Sequence, residues 1–334
     1  MRKSAPFAES SLRQATIKHS TFMARFFLFL LSAVLLGCSD KAPPPSPAPS
    51  PGVGVVVLGT AQDAGYPQAN CQKACCAPAW ADPSRAEMVS CLAIYDTAAG
   101  QAWLLDATPD FPRQLQYVTD SLQLALGGIL LTHAHMGHYT GLMYLGREAM
   151  GADAVSVYAM PRMDTFLRKH GPWSQLVRLQ NIDLRPLRDT VPVALTPRLT
   201  VTPLRVPHRD EYSETVGYSV QGPDRSLLFI PDIDKWDRWG RSIDTLIARH
   251  DLAFLDATFF DDTELPGRNM AEIPHPFVRE SLQRFSRLSP KNRAKIHFIH
   301  LNHTNPLLQP DSPQSREVEQ AGMHVARTFN RSEL

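Results

Sequence analysis

Three histidines crowd one short stretch of the 334-residue chain, residues 127–142 (GGILLTHAHMGHYTGL). An apolar run in this stretch predicts a buried strand, and His133, His135 and His138 follow it directly. Residues two apart on an extended chain point to the same side, so His133 and His135 face one volume. Gly137 permits a sharp turn that brings His138 back toward it. Neutral imidazole is a common zinc ligand, and the stretch therefore predicts a metal site.

The string THAHMGH resembles the HxHxDH motif of the metallo-β-lactamase fold superfamily, with Gly137 where that family has aspartate. Two other strings, LGTAQDAGYPQANC and HLNHTNPLL, resemble the PqqB-like branch, that of the pyrroloquinoline quinone biosynthesis protein B. The resemblance implies an α/β fold of the αββα type, in which two mixed sheets pack face to face with helices outside.

The resemblance implies further metal ligands that follow later strands. His208 ends the string VPH and Asp232 follows FIP, and these match the third and fourth metal motifs of the superfamily in order. The fifth motif is a histidine after the last strand, for which His300 is favoured and His303 is the competitor. The first metal position would comprise His133, His135, His208 and Asp232, and the second would comprise His138, His300 and the shared Asp232.

The second position is expected to be the weaker one. Two divalent ions repel each other, so the shared ligand Asp232 must be anionic, and its neighbour Asp234 is a possible decoy. Gly137 offers the second ion no carboxylate of its own, which also leaves the pair more positive by one charge. We expect zinc to be held firmly at the first position. The second position would be partly filled, or completed by water or a substrate oxygen.

The elements that must position these residues alternate along the chain. Apolar runs predict buried strands at residues 53–58, 102–105 and 129–132. Helices are predicted at about residues 111–122 and 141–150, on either side of the histidine stretch. The order strand, helix, strand, helix is that of an α/β protein.

Supporting residues are also implied by resemblance. The string LLDATPDF resembles the family's first motif, whose aspartate, here Asp106, supports the histidine loop without binding metal. The strings DLAFLDATFF and IPHP resemble motifs of the tRNase Z branch, in which an acidic residue orients a histidine that acts as general acid. Asp256 and His275 would take these roles, and a general acid protonates the leaving oxygen. Purely structural roles for both residues stay open.

Four cysteines raise a separate question. Cys71, Cys75 and Cys76 lie in one loop, and Cys91 begins a predicted strand. PqqB-like proteins resemble this in holding a structural zinc through cysteines at this place. The spacing is not a clean CxxC pair, and in an oxidising compartment four cysteines could equally form one or two disulfides. Structural metal, disulfide and free thiols all stay open.

The N-terminus predicts export. Arg25 precedes an apolar run at residues 26–36, and a small residue then precedes Cys38, which together describe a signal peptide at residues 1–37. Met23 is the expected true start of translation. The run is too short for an ordinary membrane span.

The string LLGC resembles a bacterial lipobox, which implies that Cys38 is lipidated and anchors the chain to a membrane. Residues 38–52 are rich in proline and would form an extended spacer. Ser39 after the cysteine implies the periplasmic side of the outer membrane. Residues 53–334 would then form the metallo-β-lactamase-fold domain.

Composition narrows the classes of function. At 43% apolar residues, the chain suits one large domain with a sizeable core. Residues 1–37 carry five basic residues and one acidic residue, so removing them shifts the net charge from +1 to about −3. This balance does not indicate a nucleic-acid-binding surface. A small-molecule substrate is the expected partner, and the sequence does not disclose the oligomeric state.

The predicted function is zinc-dependent hydrolysis by a metal-bound hydroxide, acting on a phosphoester or another ester. Two other classes stay open. One is a non-catalytic or accessory metal-binding protein of the PqqB-like kind, which the departure at Gly137 favours. The other is an oxidative role resembling that of PqqB, which an exported location disfavours.

Overall fold

The computed structural model describes residues 52–334. The predicted signal peptide, Cys38 and the Pro-rich spacer up to residue 51 lie outside the described residues. Within residues 52–334, none of the helices combines the length and the apolar character that crossing a bilayer requires.

Strands and helices alternate along the described part of the chain. The strands are β1 (Val53–Gly59), β2 (Cys91–Asp96), β3 (Gln101–Leu105), β4 (Ala125–Leu130), β5 (Val155–Ala159), β6 (Ile182–Pro186), β7 (Val193–Thr196), β8 (Leu199–Arg205), β9 (Val216–Gln221), β10 (Ser226–Ile230), β11 (Leu252–Asp256), β12 (Ile296–Ile299), β13 (His324–Val325) and β14 (Arg331–Glu333). The α-helices are α1 (Ala77–Ala81), α2 (Phe111–Gln116), α3 (Met136–Tyr139), α4 (Pro161–Lys169), α5 (Trp173–Arg178), α6 (Ile243–Arg249), α7 (Val278–Phe285), α8 (Pro290–Arg293) and α9 (Pro313–Gln320).

The strands form two seven-stranded sheets with similar plans. The first has the order β14-β1-β2-β3-β4-β5-β6, and the second has the order β13-β12-β11-β10-β9-β8-β7. In the first sheet β3 to β6 are parallel, and the remaining pairs are antiparallel. In the second sheet β10 to β13 are parallel, and the remaining pairs are antiparallel. The prediction of two mixed sheets is confirmed.

Alternation along the strands explains why the sheets stack. In β1, Val55 and Val57 face the core between the two sheets, where they meet residues such as Phe229 of β10. Val56 and Leu58, on the opposite face of the same strand, join the core under the helices of the first sheet. A strand that is covered on both faces can be apolar at every position, as β1 is.

Helices cover the outer face of each sheet. Leu167 of α4 and Leu176 of α5 pack on the first sheet, while Phe285 of α7 and Val318 of α9 pack on the second. The resulting order of layers is helix, sheet, sheet, helix. This is the αββα sandwich that the resemblance implied.

The carboxyl ends of several strands open at one edge of the sandwich. The loops after β3 and β4 leave the first sheet there, and those after β10, β11 and β12 leave the second. Strand β1 is antiparallel to β2, which is antiparallel to β3. Strand β1 therefore runs in the direction of β3, and its following loop opens at the same edge.

One predicted helix is wrong. Residues 141–150 do not form an α-helix: α3 ends at Tyr139, and the 3₁₀ helix Thr140–Leu145 follows it. The backbone N–H of Gly141 donates to the carbonyl of Ala107, at 2.9 Å, instead of to the residue four before it. This bond interrupts the helical pattern, and Gly146, a poor helix former, follows the 3₁₀ turn. The helix predicted at about 111–122 is present as α2 and the π-helical turn Tyr117–Ser121.

Candidate metal centre

The first position predicted from the sequence is brought together by the fold. The Nε2 atoms of His133 and His208 lie 3.3 and 3.2 Å from Asp232 Oδ2, and His135 Nδ1 lies 3.9 Å from the same oxygen. His133, His208 and Asp232 are fully or almost fully buried, while His135 retains 15% side-chain exposure. Four potential ligands therefore converge on one small volume, as the sequence predicted.

The remaining predicted ligands, His138 and His300, lie beside this group. His138 Nε2 is 3.9 Å from Asp232 Oδ2, so Asp232 faces both positions, as a bridging ligand must. His300 follows β12 with a φ of 65°, a left-handed conformation that is unusual outside glycine. This conformation aims its ring at His138, with the ring centroids 5.2 Å apart.

A carboxylate that the sequence analysis missed lies beside the second position. Asp63 Oδ1 lies 3.2 Å from His138 Nε2 and 3.8 Å from His300 Nε2. The ligand atoms of these three residues all lie within 4.8 Å of one another, close enough to hold one ion. Gly137 supplies no carboxylate, as expected, but the structure places the carboxylate of Asp63 beside the second position.

Backbone hydrogen bonds fix the loop that carries Asp63. The N–H of Gln62 donates to the carbonyl of Leu301, at 2.8 Å, and the N–H of Leu301 donates to Thr60, also at 2.8 Å. Ala61 pairs in parallel with Leu301, the residue that directly follows His300. Backbone hydrogen bonds thus join the loop after β1 to the loop after β12. A possible sequence indication was that an acidic residue follows β1, whose carboxyl end opens at the metal edge.

Gly137 makes room for Asp63. A Cβ atom at position 137 would lie 2.4 Å from both Cα and Oδ1 of Asp63, far inside van der Waals contact. Gly137 does not have the left-handed φ that would require glycine for conformational reasons. The chain does turn here and brings His138 to the centre at the start of α3, but the turn does not depend on the conformational freedom of glycine. Gly137 instead leaves the space that Asp63 occupies.

The buried histidines present one nitrogen to the centre and anchor the other. His133 Nδ1 lies 3.0 Å from Thr132 Oγ1, and His138 Nδ1 lies 2.7 Å from Asp106 Oδ2. Asp106 also accepts hydrogen bonds from the N–H and the hydroxyl of Thr132, at 2.7 and 2.9 Å. The predicted supporting role of Asp106 matches these contacts, because such partners orient a ligating imidazole.

The anchors of the other histidines come from the second sheet and its loops. Asp234 Oδ1 lies 3.3 Å from His208 Nδ1, so the residue named as a decoy for the bridging aspartate faces the outer nitrogen of a predicted ligand. Thr258 Oγ1 lies 3.0 Å from His300 Nδ1. The more exposed His135 has its Nε2 3.4 Å from Glu211 Oε2.

The inward atoms of this cluster fit a metal. Buried polar atoms normally find hydrogen-bond partners, and those that do not require an explanation. Several inward atoms have none of acceptable geometry among the described residues: His133 Nε2, His138 Nε2, His208 Nε2, His300 Nε2 and Asp63 Oδ1. Imidazole nitrogens and carboxylate oxygens are the donor set that zinc binds, so a divalent ion would satisfy them together.

The electrostatics favour a cation in the same place. Burial and the neighbouring His138 hold the pKa of His133 well below its ordinary value, which leaves its nitrogen free to coordinate. Burial lowers the pKa of His208, but Asp232 and Asp234 outweigh it and raise the pKa to about 10. The carboxylates therefore draw protons onto histidines in the absence of metal, and metal binding would displace those protons.

His275 and Asp256 lie against the shared aspartate. His275 Nδ1 is 2.9 Å from Asp256 Oδ2 and 3.2 Å from Asp232 Oδ1. Burial lowers the pKa of His275, but Asp256 and Asp232 outweigh it, so the pKa is raised above its ordinary value. Asp256 also accepts hydrogen bonds from the hydroxyl of Thr258 and the N–H of Ile233, at 2.7 and 3.0 Å. A protonated imidazole held in this way can donate a proton from Nε2.

Three cysteines form a second cluster with a histidine. Cys71 Sγ lies 3.8 Å from Cys75 Sγ, and Cys76 Sγ lies 3.3 Å from His303 Nδ1. All four ligand atoms lie within 4.8 Å of one another. A disulfide would need sulfurs about 2.05 Å apart. Tetrahedral zinc with bonds of about 2.3 Å separates two sulfurs by about 3.8 Å, so the cluster fits zinc.

Two expectations about these residues change. No disulfide joins the four cysteines of the described residues, so of the three alternatives left open the structure does not contain the disulfides. Cys91 is not part of the cluster: it is buried on β2, where its thiol faces the carbonyls of Leu92 and Asp106. His303 belongs to the cysteine cluster, which leaves His300 as the histidine of the main centre.

The fold and the histidine centre together define the class of protein. Residues 102–298, more than half of the chain, match the family described as beta-lactamase superfamily domain. The chain therefore belongs to this family and has the metallo-β-lactamase fold.

Within this family the chain is PqqB-like. Coenzyme PQQ synthesis protein B of Xanthomonas axonopodis pv. citri (strain 306) is 27% identical over 302 residues, which cover 81% of this chain and 97% of the relative. The structure of Zn²⁺-bound PqqB from Methylobacterium extorquens superposes with a TM-score of 0.69 at 24% identity, covering 84% of this chain and all of PqqB. A diphosphatase from the PhnP family has a TM-score of 0.58 at 21% identity, covering 84% of this chain and 97% of the diphosphatase. These two solved structures share the fold.

Proposed function

We propose that this protein is a metal-dependent hydrolase of phosphoesters or other esters of small molecules. The observation that supports it most is the convergence of His133, His135, His208 and Asp232, whose ligand atoms all lie within 4.8 Å of one another. A bound zinc ion would lower the pKa of a coordinated water and polarise the bond under attack. The ligands come from separate loops at one edge of the sandwich, where a substrate can approach.

The residues around the ligands would orient the metal-binding histidines and supply a proton. Asp106 and Thr132 hold the histidines in the orientation that leaves Nε2 free. Asp256 holds His275 Nδ1, so that His275 Nε2 can protonate the leaving oxygen of the substrate. The charge argument for a phosphoester is weaker than the sequence implied, because the carboxylate of Asp63 lies 3.2 Å from His138 and adds a negative charge beside the second position.

A substrate panel tests this proposal. The full chain, loaded with zinc or manganese, would be assayed on phosphate diesters, phosphate monoesters, carboxylate esters and lactones. We expect turnover on at least one class and loss of turnover on chelation. A metal-loaded protein that turns over none of these compounds would contradict the proposal.

The role of His275 has its own test. His275→Gln should lower turnover about 10²- to 10⁴-fold for substrates with poor leaving groups, because these need a proton as the bond breaks. Esters of p-nitrophenol, whose leaving group needs no proton, should be affected far less. Metal content should stay unchanged. An equal loss on both kinds of substrate would contradict a general-acid role.

A second candidate function is that of a non-catalytic or accessory metal-binding protein. The similarity to coenzyme PQQ synthesis protein B over 81% of the chain supports it. Full metal content without turnover on the panel, together with retained binding of a small molecule at the metal edge, would favour this candidate.

We further propose structural zinc at Cys71, Cys75, Cys76 and His303. Their spacing and the absence of a disulfide among them support it. His303→Ala should lower the zinc content by about one ion per chain and the unfolding temperature, without changing the zinc affinity of the main centre. An unchanged zinc content would contradict this assignment.

The sequence also supports a lipid anchor at Cys38 on the periplasmic side of a bacterial outer membrane. Expression of the full chain in a Gram-negative host tests this proposal. Fatty-acid labelling and recovery in outer-membrane fractions are expected for the unmodified chain, and both should be lost in Cys38→Ser. Equal labelling of the two chains would contradict it.

A further inference from the structure

We propose that Asp63 is the carboxylate ligand of the second metal position, and that it takes the place that residue 137 has in the HxHxDH motif. The inference deepens the proposed function, because it concerns the same metal centre. It predicts that the chain binds two ions in this centre even though Gly137 cannot contribute a ligand.

The first argument is the position of the carboxylate. Asp63 Oδ1 lies 3.2 Å from the inward nitrogen of His138 and 3.8 Å from that of His300, whereas Asp232 Oδ2 lies 3.9 Å from His138 Nε2. Asp63 Oδ1 is buried although a third of the side chain is exposed, and it has no hydrogen-bond partner of acceptable geometry among the described residues. A buried carboxylate oxygen without a hydrogen bond, facing two imidazole nitrogens that also lack one, is a donor set that fits a divalent ion.

The second argument is steric. The Cβ of any larger residue at 137 would lie 2.4 Å from Asp63 Cα. A side chain at 137 and Asp63 in its present place therefore exclude each other. Gly137 in THAHMGH and Asp63 in LGTAQDAG are therefore complementary: Gly137 has no side chain, and Asp63 occupies the space that a side chain at 137 would need.

The third argument is rigidity. A ligand contributes most when its position is fixed before the metal arrives. The segment before Asp63 is held by hydrogen bonds of Gln62 and Thr60 with Leu301, at 2.8 Å each. Because Leu301 directly follows His300, the same bonds set the distance between the two ligands. This is the support that a designed metal site would require.

Zinc titration of the full chain tests the proposal. Each variant would be stripped of metal, titrated with zinc against a competing chelator, and its bound zinc counted by mass spectrometry. Asp63→Asn keeps the size of the side chain but removes its charge, so we expect at least tenfold weaker binding of one zinc ion. The exposed carboxylate Asp262 provides the matched control, since Asp262→Asn should leave every zinc affinity unchanged.

Two further variants separate coordination from a structural role. Asp63→Glu keeps a carboxylate and should recover part of the affinity lost in Asp63→Asn, whereas a role in neutral hydrogen bonding would make Asn the better replacement. Gly137→Ala adds a methyl group that must displace Asp63, and it should weaken the same zinc ion. Unfolding temperatures in chelator report whether each variant is folded, and their rise on adding zinc should be smaller in Asp63→Asn than in Asp262→Asn.

The proposal is overturned if Asp63→Asn binds as many zinc ions as the unmodified chain with the same affinities, or if Gly137→Ala retains them. Counting bound zinc and measuring turnover also test this inference and the proposed function separately. A chain that binds two ions through Asp63 but hydrolyses nothing would contradict the proposed function and leave this inference standing. If the Asp63→Asn variant keeps both its hydrolytic activity and its zinc content, this inference is contradicted and the proposed function stands.

Discussion

The two candidate metal positions of the centre are built from the same kinds of residue but in different ways. The first uses ligands that all follow strands in the order of the superfamily motifs, with His133 and His135 two residues apart on the chain. The second takes His138 and His300 from such motifs, but its proposed carboxylate, Asp63, comes from the loop after the first strand. The chemistry needs a carboxylate in a certain volume, and it does not prescribe the position in the sequence that supplies it.

The supports of the two positions also differ. In the second position His138 is held by Asp106, a fully buried carboxylate 2.7 Å away. In the first position His208 is held by Asp234, which is 3.3 Å away, partly exposed and shared with Arg238. We therefore expect the second position to depend more strongly on its supporting residue. The following predictions test this difference, beginning with the ligands themselves.

Loss of a ligand from the first position should have the largest effect. His133→Ala removes one of four ligands of the position expected to bind zinc most firmly, and we expect turnover to fall on the order of 10³-fold or more. Zinc titration and assays on the best substrate of the panel would measure it. His170, an exposed histidine beyond α4, gives the control. Retained turnover in His133→Ala, or an equal loss in His170→Ala, would contradict the assignment.

Loss of Asp106, the supporting residue of the second position, should have the second-largest effect. Asp106→Asn removes the charge that orients His138, and we expect one zinc ion to bind about 10- to 100-fold more weakly. The free energy of unfolding in chelator should fall by about 1–3 kcal/mol, because Asp106 accepts buried hydrogen bonds from Thr132. Titration and urea unfolding measure the two effects. If zinc binding is unchanged, Asp106 stabilises the fold without supporting the ligand.

Loss of the support in the first position should be the smallest effect. Asp234→Asn can retain its contact with His208 through the side-chain oxygen, and the exposed ion pair with Arg238 contributes little. We expect zinc affinity to fall less than tenfold, which is below the usual range of about 10- to 100-fold for such supporting residues. Should Asp234→Asn weaken zinc binding more than Asp106→Asn does, the proposed ranking of the two supports is wrong.

Much of the fold could be predicted because its evidence is local in the sequence. The apolar run of β1 and the alternation that sends His133 and His135 to one side are visible within a few residues. The helix predicted at 141–150 was wrong because a tertiary hydrogen bond from Gly141 to Ala107, which no local pattern reveals, competes with the helical one.

The metal centre could likewise be predicted only as far as local sequence patterns reveal it. Motif order indicated the ligands that follow the strands, but His300 and His303 could be separated only by knowing that His303 lies among the cysteines. Asp63 was missed because a loop far away in the sequence supplies it. Gly137 showed that something was absent from the motif, and only the three-dimensional structure shows what occupies that space.

The most direct test of the two-ion centre is anomalous diffraction at the zinc edge from crystals of the metal-loaded chain. We predict two peaks in the main centre, with Asp232 between them and Asp63 coordinating the one that His138 and His300 also bind. A single peak held by His133, His135, His208 and Asp232, with the Asp63 carboxylate turned away, would contradict the account.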